Sequence, residues 1–130
     1  MERVASGSPY EPIIGYCRAL RVGDRILVSG TTSLESDGST HAPGDAYHQA
    51  KRCLETIMRA VVQLDGHACD VVRTRIYLVN AEDWESVGQA HGEFFGENRP
   101  AATMVVVAGL LRADWLVEIE AEAVVTSFPF

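Results

Sequence analysis

The stretch from Asn98 to Val125, NRPAATMVVVAGLLRADWLVEIEAEAVV, decides how this chain folds. From Leu116 onward it alternates strictly. Glu118, Glu120 and Glu122 fall on one side, and Val117, Ile119, Ala121, Ala123 and Val125 fall on the other. Side chains of a strand point alternately to opposite faces, so this is a β-strand with one apolar face and one face of three carboxylates. Carboxylates stacked two residues apart repel, and the strand needs water or cations to screen them. Val71 to Val79, VVRTRIYLV, can supply the cations. There Arg73 and Arg75 share a face with Tyr77, while Val72, Thr74, Ile76 and Leu78 share the other. If the two strands are neighbours, their apolar faces form one core wall and their charged faces pair. The polar face is then either a solvated ion ladder or a surface buried against another subunit, where it builds a site.

The composition bounds the rest. A chain of 130 residues makes one domain, with 47% hydrophobic and 22% charged residues, ordinary values for a globular protein. The formal charge of −7, with Lys51 as the sole lysine, argues against nucleic acid and against a polybasic membrane patch. The N-terminus has no apolar signal-peptide core, and no apolar run approaches the length of a membrane span. Cys17, Cys53 and Cys69 are odd in number and widely spaced, so a reduced, cytoplasmic protein is expected.

Working outward, Met1 to Pro12 reads as an irregular lead-in rich in Ser, Gly and Pro. Tyr16–Arg21 and Arg25–Ser29 read as short strands around a Val22-Gly23-Asp24 turn. A polar loop, Glu35 to Gly44, precedes a helix from Asp45 to Leu64, with Asp45 as N-cap and Asp65-Gly66 as stop. After the Val71–Val79 strand, Asn80 caps a second helix with Asp83 in its first turn. This helix carries Trp84, Val87, His91, Phe94 and Phe95 inward and ends near Gly96. Strands at Thr103–Ala108 and Leu116–Val125 flank a turn at Leu110–Asp114. The order β-β-α-β-α-β-β, with no repeat or linker, predicts an α+β domain with two helices on one face of a mixed sheet. Leu27, Val105 or Val107 on the other face favours a partner there over open solvent.

This order, and the motifs along it, resemble the reactive intermediate deaminase family (Rid, also YjgF or RidA). The carriers are Leu27-Val-Ser-Gly-Thr31, Gln49-Ala50, Val72-Arg-Thr-Arg-Ile-Tyr-Leu78, Asp83-Trp84, Phe94-Phe95, Arg99-Pro100-Ala101-Ala102-Thr103 and Val117-Glu-Ile-Glu-Ala121. The resemblance spans about Tyr16 to Val125. It implies a chorismate mutase-like fold and a homotrimer whose sheets form a central barrel, with ligand clefts between subunits. It also implies hydrolysis of 2-imino and enamine compounds. In that reaction an arginine after the Pro-Ala pair clamps the substrate carboxylate and a last-strand glutamate orients the attacking water. Carried over, the glutamate is Glu118 and the pocket residues are Tyr16, Ser29 and Thr103. The arginine position is Ala102 and a helix asparagine position is Gly88. A methyl group cannot hold a carboxylate, so the resemblance implies the fold and cleft without the clamp of 2-imino acid hydrolysis. Arg25, Arg73, Arg75, Arg99 and Arg112 are the other arginines considered for that task.

Other constellations are weaker. His67-Ala-Cys69 with Asp70 lacks a second convincing pair, so no metal site is expected. His41 and His48 read as solvated and His91 as a core histidine. Cys17 has no adjacent His or Lys to activate it. No cofactor is expected. Three functions remain: a hydrolase of imine- or carbonyl-like metabolites using Glu118, a metabolite-binding regulator without turnover, and a holdase-like or scaffold protein.

Overall fold

In the computed structural model, which describes residues 1–126, the Leu116–Val125 segment forms strand β6 (Val117–Val124) in the middle of a six-stranded sheet. The other strands are β1 (Glu2–Val4), β2 (Ala19–Val22), β3 (Arg25–Thr31), β4 (Val71–Leu78) and β5 (Ala101–Val106), in spatial order β1-β2-β3-β6-β4-β5. The β4–β5 pair is parallel and the others antiparallel, so the sheet is mixed as expected. Helices α2 (Ala46–Gln63) and α3 (Trp84–Phe95) cover one face, and a short helix α1 (Glu11–Ile14) stands near the N-terminus. Period-2 alternation on β6 and helical spacing on α2 meet in one core. Ile26, Leu54, Ile57, Ile76, Leu78, Phe95, Val117 and Ile119 are all within 2% of full burial. Burying each such side chain contributes about 1.5–3 kcal/mol.

β4 and β6 are neighbours, with Arg73 opposite Glu122, Arg75 opposite Glu120 and Tyr77 opposite Glu118. The charged ladder forms, but not with the expected partners throughout. Arg75 pairs with Glu120 at 3.4 Å and Glu122 at 3.8 Å, while Arg25 from β3 reaches Glu122 at 3.2 Å. These pairs are part-exposed, a setting in which each contributes only about 0–1 kcal/mol.

Several expectations are corrected. The lead-in is not wholly irregular, because β1 pairs with β2 through Val4 and Ala19. A register shift between Val71 and Arg73 turns Val71 inward and leaves Val72 45% exposed, so Val72 does not belong to the apolar face. Asn80 precedes a 3-10 turn, Ala81–Asp83, and Asp83 becomes the residue before α3 rather than part of its first turn. Trp84 is 59% exposed, not inward. β2 starts three residues later than expected, and β5 starts two earlier and ends at Val106.

The ends of α2 follow the expected logic with one exchange of roles. Asp45 accepts the His48 N–H at 3.0 Å as N-cap. At the other end Asp65, not Gly66, adopts the left-handed backbone, φ 67°. Gly66 is needed for space, since a Cβ there would lie 2.8 Å from Ile26 Cδ1 and 2.9 Å from Val61 Cγ1. His91 hydrogen-bonds Thr74 at 2.8 Å against β4, and burial pushes its pKa down, which fits the expected core histidine.

Candidate functional site

Two structural choices open a cleft of about 340 Å³ at the β3–β6 seam, lined by Tyr16, Ser29 and Glu118 among others. The first is an irregularity in β3. Pairing with β6 shifts between Val28 and Thr31, so Ser29 and Gly30 leave the regular ladder. Ser29 Oγ donates to the Cys17 carbonyl at 2.7 Å, which ties this bulge to the segment bearing Tyr16. The second is the fully buried Gln49 of α2. Its Nε2 donates to the Asp114 carbonyl at 2.9 Å, and its Oε1 accepts the Leu116 N–H at 2.9 Å. That clamp fixes the chain on both sides of Trp115, whose ring also lines the cleft.

The three glutamates of β6 are not equivalent. Glu122 is held by two arginines, and Glu120 by Arg75 and the Tyr77 hydroxyl. Register sets Tyr77 opposite Glu118, yet its hydroxyl turns to Glu120, which raises the tyrosine pKa. Glu118 has no hydrogen bond or ion pair among the described residues. Burial raises the pKa of its carboxyl above the ordinary value of 4.5, Arg18 opposes that rise, and Glu120 adds to it. The carboxylate packs directly over Gly30, where a Cβ would fall inside contact distance of Glu118 Oε2 and 3.2 Å from its carboxyl carbon. A carboxyl with a raised pKa, free of competing partners and facing a hydroxyl-lined cleft, is placed to take or give a proton.

Within one chain Ala102, Thr103 and Gly88 do not line this cleft. Ala102 and Thr103 are on β5, at the edge of the sheet and separated from β3 by β6 and β4. Ala102 pairs in register with Thr74, and Thr103 with Arg75. Gly88 is on α3 with open space where a Cβ would stand. Arg25 and Arg75 are engaged in the ladder. Arg112 donates to the Gly38 carbonyl at 2.6 Å, and its guanidinium lies 5.0 Å from the Trp115 ring centroid. Arg18 and Trp115 are among the cleft residues that sequence reasoning missed. Arg18 could have been found, since in extended chain it shares a side with Tyr16; Trp115 carries no local signal. The His67 and Asp70 pair closes a capping box, and no cluster of three or more potential metal ligands occurs among the described residues.

A family model described as Endoribonuclease L-PSP matches residues 7–125. The chain belongs to the Rid (YjgF/RutC) family. Among solved Rid structures, Rv2704 from Mycobacterium tuberculosis, a member of the YjgF/YER057c/UK114 family, is 40% identical to it. The two superpose with a TM-score of 0.86 over 95% of this chain and 98% of that one. An uncharacterized protein of Streptomyces coelicolor, SCO2049, is 39% identical over 95% of this chain and 91% of its own length. The 3-aminoacrylate deaminase RutC of Acinetobacter baylyi is 34% identical over 90% of this chain and 91% of its own. Rid relatives thus include both a named deaminase and members with no assigned activity. Among the described residues no helix is long and apolar enough to cross a membrane.

Proposed function

We propose that this Rid protein is a hydrolase of small imine- or carbonyl-like metabolites, with Glu118 orienting and activating the attacking water. Tyr16 and Ser29 line the cleft around it and shape what enters. The observation that carries this reading is the contrast along β6, where Glu120 and Glu122 are tied up and Glu118 is held in the cleft without a partner. Deamination by a relative, the 3-aminoacrylate deaminase of Acinetobacter baylyi, supports the reaction class. In this reading Ala102 stands where the family's carboxylate-clamping arginine belongs, and Gly88 leaves the pocket open beside it. Hydrolysis of 2-aminoacrylate is therefore expected to be weak or absent. The test is ammonia release from freshly generated 2-aminoacrylate, together with a thermal-shift metabolite screen whose hits are followed for turnover by mass spectrometry. Hydrolysis of 2-aminoacrylate as fast as by an arginine-bearing relative would show that the assignment of Ala102 is wrong. Hits that bind without turnover would favour the regulatory reading.

The cleft is completed, in this proposal, by a neighbouring subunit of a homotrimer. β5 is a sheet edge, with Val105 and Val106 exposed to 41% and 53%. An edge strand with exposed apolar side chains invites cover by another chain, and identical subunits close it by cyclic symmetry. Light scattering at micromolar concentration is expected to return three times the chain mass, and a monomer would remove the intersubunit part of the reading.

A further inference from the structure

The cleft holds a second charge that the hydrolytic reading does not use. Arg18 is 9% exposed, and its guanidinium carbon lies 5.7 Å from the Tyr16 ring centroid. All its side-chain hydrogen bonds run through Nη1, which donates to the Gly30 carbonyl at 2.8 Å, to Thr31 Oγ1 at 2.8 Å and to the Ser29 carbonyl at 3.4 Å. These contacts pin one corner of the guanidinium at the β3 bulge. A guanidinium carries five N–H donors, and those on Nε and Nη2 find no acceptor among the described residues. Glu118, in the same cleft, does not close on it as an ion pair.

A buried donor without a partner stands in the same cleft. Trp115 is 3% exposed, and its Nε1 has no acceptor among the described residues. Buried donors are nearly always paired, so each one left over needs an explanation. Beside the hydroxyls, Ile14, Leu34 and Leu111 give the lining an apolar part, with Ile14 and Leu111 exposed to 61% and 72%.

We propose that Arg18 is the ligand-anchoring arginine of this cleft. Its ligand is a small carboxylate with an apolar or aromatic body, received by the free edge of the guanidinium and by Trp115 Nε1. A monoanion suits the site better than a phosphate dianion, because the adjacent Glu118 repels extra negative charge. The size of the cleft limits the ligand to a small molecule. The proposal rests on the preceding reading only in placing the ligand beside Glu118.

Calorimetry on the full chain with phenylacetate, and with phenylacetamide as a control of equal shape and no charge, tests it. Phenylacetate is expected to bind, and the amide to bind at least about tenfold more weakly. Arg18→Lys keeps the charge but not the forked edge, and is expected to weaken phenylacetate roughly tenfold with little effect on the amide. Trp115→Phe keeps the ring and loses the N–H, and is expected to weaken phenylacetate by about threefold or more. This second variant and the amide comparison stand even if Arg18→Lys fails to fold. Phenylacetate binding no better than its amide, or with unchanged affinity in both variants, overturns the proposal. Turnover of a screened metabolite that is lost in Glu118→Gln but kept in Arg18→Lys would sink the anchor and leave the hydrolase reading standing. Turnover that survives Glu118→Gln would do the reverse.

Discussion

Glu118→Gln is expected to leave the chain folded and to reduce turnover in the cleft by about 100-fold or more, the usual contribution of a positioned general acid or base. Gln is nearly equal to Glu in shape, so the loss would report chemistry and not packing. Glu122→Gln, which only loosens pairs to Arg25 and Arg75 on a part-exposed face, is expected to do little. Stability gives an independent check. The folded-state pKa of Glu118 is raised, chiefly by burial. The folded chain therefore binds that proton more tightly than the unfolded chain does. The stability this contributes is fully present below the unfolded value near 4.5 and is lost as pH rises through the folded value. Above that folded value the ionised carboxylate weakens the fold and a neutral amide does not. Glu118→Gln is thus expected to melt at or above the wild type at pH 7, with the difference closing toward pH 4. A variant that melts clearly below the wild type at pH 7 would mark Glu118 as a structural anchor instead.

Gly30→Ala is expected to impair the same chemistry without touching a charged residue. The backbone at Gly30 is not left-handed, so alanine is conformationally acceptable there. What the new methyl meets is the carboxylate of Glu118, and the flexible end of that side chain can move aside at small cost to folding. The fold is expected to persist while the carboxylate leaves its place over the bulge. Displacement of a reacting group by about 1 Å can cost on the order of 100-fold in rate, so turnover is expected to approach that of Glu118→Gln. Combining the two substitutions is expected to add little to either alone, because both remove one positioned carboxylate. Full activity in Gly30→Ala, measured beside a circular-dichroism check of folding, would show that the position of Glu118 over the bulge is not the productive one.

The sequence by itself determined the secondary structure of the central strands, the helix-covered core and the family. Those rest on period-2 and period-3.6 patterns, which act through neighbours close in the chain. The alternation of β6 made its apolar and acidic faces readable, and β4 could be named as the source of cations before any pairing was known. Tyr16, Ser29 and Glu118 were legible through the resemblance, and the structure brings them to one cleft. The tertiary structure decided which glutamate is free. Tyr77 could have turned to Glu118, its partner in register, and turned to Glu120 instead; Arg25 reached Glu122 from β3, and Arg73 did not pair where its register pointed. Val72 faces outward because a single bulged residue reverses the parity of a strand, and one residue of slip leaves no trace in composition. Gly30 and Trp115 belong to the cleft for the same reason. Each is defined by what lies across the bulge or across the α2 clamp, in contacts between residues dozens of positions apart, where local spacing has no reach.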